Sequence, residues 1–103
     1  MVEVIWSEIS FEDLYNIIEF ISRDSGKYAS LQAEKIIGTT NLLEHSALVG
    51  KPVREFDDPS IREIVCGNYR IIYEVISKSS VLILTIHHGK RLVENNPAFK
   101  KKK

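Results

Sequence analysis

Residues 61–88 read IREIVCGNYRIIYEVISKSSVLILTIHH, and this stretch decides the fold. It contains three runs rich in β-branched and aromatic side chains, which favour β-strands. Gly67-Asn68 suits a two-residue turn between antiparallel strands, and Ser77–Ser80 forms the next turn. The stretch therefore predicts a three-stranded antiparallel meander with strands over residues 61–66, 69–76 and 81–88.

The register of this meander fixes which side chains share a face. Simple turns place Arg70 opposite both Val65 and His87, and Ile76 opposite Val81. One face is then almost wholly apolar and is expected beneath the helices, whereas the other is mixed and faces water or a partner. A slip of one residue would bury Arg70, so it is disfavoured. The apolar face holds Ile64, Cys66, Tyr69, Ile71, Tyr73, Val75, Leu82, Leu84 and Ile86; the mixed face holds Glu63, Val65, Arg70, Ile72, Glu74, Ile83, Thr85 and His87.

The N-terminal half predicts one strand and two helices. Residues 2–6 alternate as in a short strand, and Ser10 is expected to cap a helix that ends near Ser25-Gly26. A second helix is expected over residues 27–46, and the short link favours an antiparallel helical hairpin. The fold class is therefore α+β, with the helices packed on one sheet face. The side chains expected on the buried sides of the helices are Phe11, Leu14, Tyr15, Ile17, Ile18, Ile21, Tyr28, Leu31, Ile36, Ile37, Leu42 and Leu43.

Length and composition predict a single small domain. The chain has 103 residues, of which 44% are hydrophobic, and residues 1–96 are expected to fold together ahead of a basic tail over residues 97–103. It lacks the run of about 20 apolar residues that a membrane helix needs. The N-terminus also lacks the features of a signal peptide. One cysteine, Cys66, excludes an internal disulfide. We therefore expect a cytoplasmic protein with no membrane contact.

The net charge of zero hides a difference between the two halves of the chain. Residues 1–50 carry three basic and eight acidic side chains, whereas residues 51–103 carry eleven basic and six acidic ones. Four of those eleven are the terminal lysines, so the basic half outside the tail is only slightly positive. This asymmetry indicates one basic surface that meets an anionic partner, or merely a solvated tail.

The candidate chemistry lies where the meander ends. Arg70 and His87 are expected to be cross-strand neighbours, with Lys90 and Arg91 just beyond the same strand. Arginine binds phosphate and histidine exchanges protons near neutral pH, so this group could hold RNA and assist its cleavage. Alternatively, Arg70 pairs with a glutamate, Glu63 or Glu74, and His87 is a plain surface residue.

Other kinds of site find little support in the sequence. His88 is expected at the edge of the core, on the helix-covered side, and Cys66 is expected to pack rather than react. The histidines lack the spacing of a zinc site, and no phosphate loop or dinucleotide motif is present. We therefore expect neither a metal nor a cofactor.

Four segments in this order resemble the RelE/ParE superfamily of toxins from bacterial type II toxin–antitoxin systems. They follow the helical hairpin, and the similarity of layout covers residues 2–91. No single motif is diagnostic, but the succession is fairly specific. The segments are GKPVREF (residues 50–56), IREI (61–64), YRIIYEV (69–75) and IHHGKR (86–91).

The resemblance implies a toxin held inactive by a cognate antitoxin whose extended segment wraps it. RelE-like members cleave mRNA on the ribosome, whereas ParE-like members poison DNA gyrase and are not known as nucleases. Arg70 and Arg91 match basic positions of the nucleases. Glu63 stands where those enzymes carry lysine, and Pro97 and Phe99 stand about where they carry a tyrosine.

These departures favour a ParE-like, growth-inhibiting toxin that acts on gyrase. Arg70, Lys90 and Arg91 are then expected to contact the target. The alternatives are a RelE-like nuclease, for which His87 would be catalytic, and a non-toxic module that still binds its antitoxin. Whether the chain is an enzyme stays open at this point.

Overall fold

The computed structural model describes residues 1–99, and the terminal lysines of the expected tail lie outside the described residues. The chain forms one mixed sheet and a helical hairpin, which confirms the α+β class. Short 3-10 turns follow the second helix and the last strand. The elements are β1 (Glu3–Trp6), α1 (Glu8–Ser22), α2 (Gly26–Asn41), β2 (Lys51–Pro52), β3 (Ile61–Cys66), β4 (Tyr69–Ser77) and β5 (Ser80–His88), with 3-10 turns at Leu42–Glu44, Val93–Asn95 and Pro97–Phe99.

The sheet has the strand order β1-β5-β4-β3-β2. The predicted meander of β3, β4 and β5 is antiparallel throughout, and β1 adds to it parallel to β5, with Val4 beside Val81. The sheet has five strands because Lys51–Pro52 pairs with the start of β3. The sequence did not predict β2, since two residues that include a proline carry no strand periodicity.

The register is confirmed near the Gly67-Asn68 turn and is wrong near the second turn. Val65 and His87 both lie opposite Arg70, as expected. However, Val81 pairs with Val75 rather than with Ile76, because the β4–β5 ladder shifts at two irregularities. An extra residue inverts the alternation of faces on one side of a bulge. Ile83 therefore lies in the core beneath the helices, and Leu84 lies on the opposite face.

The first helix begins three residues earlier than expected. Ser7, not Ser10, is the cap: its Oγ accepts a hydrogen bond from the Ser10 N–H at 3.1 Å. The Ser7 hydroxyl also donates to the Leu84 carbonyl at 3.0 Å, which joins the helix start to β5. Ser25 caps α2, which ends at Asn41 rather than near residue 46.

The sheet has a core on each face. On the helix side, a hydrophobic cluster of buried residues includes Ile36, Ile71 and Tyr73. The mixed face was expected to meet water or a partner; this is wrong at its centre, where Val53 and Val93 pack against Ile72, and holds at Val65, which is exposed. The rings of Phe56 and Phe99 are 4.8 Å apart and close the cover. The irregular segment after β5 gave no periodic signal, although Ile72 and Leu84 create apolar area that favours such a cover.

Tyr73 attaches the loop before β2 to the sheet. Its hydroxyl donates to the Ala47 carbonyl at 2.8 Å and accepts from the Gly50 N–H at 2.9 Å. A Cβ on Gly50 would lie 2.5 Å from the Glu63 carbonyl oxygen, so only glycine fits. Among residues 1–99, no helix is long and apolar enough to cross a membrane.

Candidate functional site

Two regions carry the residues expected to be functional. The first, which we call the closed face, is formed by Glu55, Glu63, Arg70 and His87. Both carboxylates bind Arg70: its Nε lies 2.6 Å from Glu63 Oε1, and its Nη2 lies 2.8 Å from Glu55 Oε1. Further bonds of 2.9 and 3.0 Å make both contacts bidentate. The group has two negative charges and one positive charge, which disfavours phosphate.

The ion pairs at Arg70 also change the acidity of the groups involved. Hydrogen bonds from Arg70 lower the pKa of Glu55 to about 2. The same contacts, first with Glu55 and then with Glu63, raise the pKa of Arg70. The expected pair of Arg70 and Glu63 thus has a third member, the loop residue Glu55. The contact between Glu55 and Arg70 attaches the loop before β3 to the sheet.

His87 is 4% exposed, and both of its ring nitrogens have partners. Nε2 lies 2.8 Å from the Arg91 carbonyl oxygen, and Nδ1 lies 2.9 Å from Asn96 Nδ2. The Asn96 Oδ1 accepts from the Ala98 N–H, so its Nδ2 is the donor to His87. His87 Nε2 therefore carries the proton and donates to the backbone carbonyl oxygen of Arg91. This histidine is buried rather than a surface residue; it lines the cavity described below, with both ring nitrogens bound within the protein.

The bonds of Asn96 extend across three elements. Its Nδ2 also donates to Thr85 Oγ1 at 3.0 Å, and the Thr85 hydroxyl donates to Asp13 on α1. Asp13 further accepts from the Ile86 N–H at 3.0 Å, where β1 has already ended and β5 continues. The network joins α1, β5 and the C-terminal segment. Sequence reasoning did not single out Thr85 or Asn96, because single polar residues in a strand or coil give no pattern.

The second region, which we call the open end, is formed by Phe20, Tyr69, His88 and Arg91. These residues line a cavity of about 770 Å³ between α1, the end of β5 and the segment that follows. His88 is half-buried, its ring meets Tyr69 edge-on at 5.5 Å, and its Nδ1 accepts from the Lys90 N–H. The core-edge position expected for His88 is confirmed.

Lys90 and Arg91 are exposed at this open end. Within residues 1–99, the ion pairs closer than 4.0 Å all involve Arg70, and neither Lys90 nor Arg91 has one. The structure thus separates the expected site residues into two groups. Arg70 and His87 are bound within the protein, whereas the charges of Lys90 and Arg91 face solvent.

The helical hairpin leaves apolar side chains uncovered. Phe11 is 67% exposed, and several other residues expected on the buried sides of the helices are exposed too. Each helix contacts the sheet along a narrow strip, so the apolar residues outside that strip remain on the surface. Large apolar side chains exposed on two packed helices are the kind of surface that a protein partner covers. These exposed residues are Phe11, Tyr15, Tyr28, Leu31, Ile37 and Leu42.

The remaining candidates do not form a reactive site. Cys66 is buried in the helix-side core, as expected. No group of three or more potential metal ligands occurs in the part of the chain that the structure describes.

The sequence profile of the ParE toxin of type II toxin–antitoxin systems (parDE) matches residues 4–93. The chain belongs to this ParE toxin family. No curated protein sequence matches it. A solved structure of the chromosomal ParDE system from P. aeruginosa is similar, with a TM-score of 0.71 and 21% identity over 85% of this chain and 96% of that one.

The RelBE2 toxin–antitoxin complex from Mycobacterium tuberculosis is similar as well, with a TM-score of 0.57. Its identity is 22% over 84% of this chain and 96% of the other. At these identities the likeness shows the shared fold alone. The layout inferred from the sequence, with strand, hairpin and meander in that order, is therefore the fold of ParE and RelE toxins.

Proposed function

We propose that this ParE-family chain arrests growth by acting on DNA gyrase rather than by cutting mRNA. The observation that carries this choice is the closed face. A nuclease would need there a histidine able to exchange protons with substrate and an arginine able to hold phosphate. Instead, His87 is bound through both nitrogens, and Arg70 is bound by two carboxylates. Gyrase as the target would place the chain in the cytoplasm.

Lys90 and Arg91 are the residues we propose for target contact. They are exposed and lack an ion pair within residues 1–99, so a partner's anionic groups can reach them. The resemblance groups Arg70 with them. In this chain Arg70 instead joins β4 to Glu63 on β3 and to Glu55 in the loop. A target contact by Arg70 would require breaking these bonds first.

We propose that a cognate antitoxin covers the exposed apolar surface of the hairpin. The two similar structures come from toxin–antitoxin systems, which supports such a partner. Around Phe11 and Tyr15 the surface carries Glu8 and Glu12. An amphipathic segment with basic residues would bury the rings and pair with the glutamates.

The target is tested with the purified chain, free of antitoxin, in two assays. We expect loss of gyrase supercoiling, with mRNA on translating ribosomes left intact. Arg91→Ala should weaken the inhibition by about tenfold, or ~1.4 kcal/mol, while Lys78→Ala in the distant β4–β5 turn should not. Codon-phased mRNA cuts with normal supercoiling would overturn the proposal in favour of the RelE-like nuclease.

The antitoxin surface is tested by co-purification with the cognate antitoxin. Tyr15→Asp or Leu31→Asp should abolish the complex, because each places a charge in the middle of the apolar surface. Ile76→Asp is the matched control, since Ile76 is equally exposed but lies on β4 away from the helices. A complex that survives both helix variants would show that the antitoxin binds elsewhere.

A further inference from the structure

We infer that the cavity at the open end is a nucleotide site that holds a planar base against its aromatic rings and a phosphate on Arg91. The inference goes beyond the proposed function, because it assigns a ligand to the chain itself. The shared chemistry is a base joined to a phosphate. It can come from a free nucleotide or from a single strand of nucleic acid.

The size and walls of the cavity fit a planar group. Its volume of about 770 Å³ lies within the ~300–1,000 Å³ of small-molecule sites. Phe20 stands at the rim with 68% of its surface exposed, and Tyr69 and His88 form one wall. Aromatic faces of this kind stack with bases regardless of sequence.

The polar lining fits the edge of a base. Asn16 on α1 and Asn95 after β5 line the cavity, and both are exposed. Neither side chain makes a hydrogen bond within the described residues 1–99. A carboxamide both donates and accepts, which suits the mixed donors and acceptors of a base edge. Asp13 uses Oδ2 for its two bonds within the protein, so Oδ1 remains to accept from an amino group.

The charges around the cavity fit phosphate. The open end collects the basic side chains of Lys90 and Arg91, and Arg23 follows α1 one turn beyond Phe20. Of these cations Arg91 lines the cavity itself, whereas the surface around Phe11 carries two glutamates, Glu8 and Glu12.

An acidic peptide is the competing ligand, and the structure favours it less. It would pair with Arg91, but it does not require aromatic faces beside unpaired carboxamides. A nucleotide uses all three features together: the rings for its base, the carboxamides for the base edge and the cations for the phosphate. A nucleotide ligand therefore contacts more of the residues that line the cavity than a carboxylate ligand would.

The test is fluorescence anisotropy of the purified full chain, free of antitoxin, with labelled oligo-dT and oligo-rU of about ten nucleotides, a length within known single-strand site sizes. We expect binding that weakens as salt rises. Phe20→Ala and Arg91→Ala should each weaken it by about tenfold. Ile76→Ala and Lys78→Ala are the controls, an exposed apolar side chain and an exposed cation away from the cavity, and should bind as the parent does.

Competition separates the two sources of the nucleotide. Displacement by a free nucleoside monophosphate supports a mononucleotide site, whereas displacement only by unlabelled oligonucleotide supports a strand. Absence of binding at low salt, or binding unchanged in both cavity variants, overturns the inference. Loss of gyrase inhibition in those variants without any oligonucleotide binding overturns it too, in favour of a protein ligand. Oligonucleotide binding by a chain that leaves gyrase unaffected would refute the proposed function alone.

Discussion

The closed face and the open end contain the same residue types in opposite states. On the closed face, Arg70 is 16% exposed at its side chain and lies between two carboxylates, and His87 is 4% exposed. At the open end, Arg91 is exposed without an ion pair within residues 1–99, and His88 is half-buried, although both histidines line the cavity there. Residue type alone therefore does not identify a site. What surrounds each arginine and histidine decides whether it stabilises the fold or meets a ligand.

Strand geometry separates the two histidines. Successive side chains of a strand point to opposite faces, so His87 enters the closed face and His88 turns toward the helices. Asn96 then completes the separation, because it binds His87 and holds the C-terminal segment over the sheet. Four substitutions test the difference between the two regions, from the largest expected change in the free energy of unfolding to the smallest.

Arg70→Met should have the largest effect. It removes the cation that binds both the buried Glu63 and Glu55, and removal of one partner from a buried ion pair costs about 3–5 kcal/mol. Urea unfolding measures this loss, with Arg91→Met as the matched control. An equal loss of unfolding free energy in the two variants would show that Arg70 stabilises the fold no more than Arg91 does.

Asn96→Ala should cost about 2 kcal/mol, because Nδ1 of His87 loses its donor in a buried position. Asn95→Ala, the neighbouring exposed residue, should change stability by less than ~0.5 kcal/mol. Thermal unfolding of the two variants provides the comparison. If both are as stable as the parent, the C-terminal segment is not held by this network.

Glu55 should make part of the stability depend on pH. Its pKa is lowered from 4.5 to about 2 in the folded chain, so the stabilisation is complete above pH 4.5 and is lost as pH falls toward 2. Because the Glu55 side chain is 39% exposed, solvent screening reduces the effect to about 1 kcal/mol.

The measurement for Glu55 is the difference in unfolding free energy between the parent and Glu55→Gln. This difference should shrink as the pH is lowered from about 6 to about 3. A difference that stays constant across that range would mean that Glu55 does not gain its stabilising charge from Arg70.

Arg91→Ala should have the smallest effect on stability, less than ~0.5 kcal/mol, because its side chain is exposed. The same variant should lose most of its growth inhibition when expressed without antitoxin at equal soluble level. Full growth arrest by this variant would show that the open end is not part of the target-binding surface.

Much of the fold was predictable because its signals are local. Gly67-Asn68 and the alternation beside it set the pairing of Arg70 with both Val65 and His87, and both pairings are confirmed. The pairing of Ile76 with Val81 was wrong, since a bulge depends on how the strand twists against its neighbours. Likewise, Ser7 rather than Ser10 caps α1 because Leu84, far along the chain, accepts its hydroxyl.

The candidate site was predictable as a list of residues but not as an arrangement. Lys90 and Arg91 stand out because basic residues follow a strand end, whereas Asn16 and Asn95 carry no pattern that marks them in advance. The cover over the closed face was also invisible, since the segment through Phe99 has no periodicity.

By itself, the sequence determined the α+β class, the strand pairing near the first turn and the similarity to ParE and RelE toxins. These features follow from alternation, turn residues and motif order, which act over a few neighbours along the chain. Only the tertiary structure decided that Arg70 and His87 are held inside the protein while Arg91 meets solvent. Glu55, Asn96 and the C-terminal segment make that difference, and they reach the sheet only when the chain has folded.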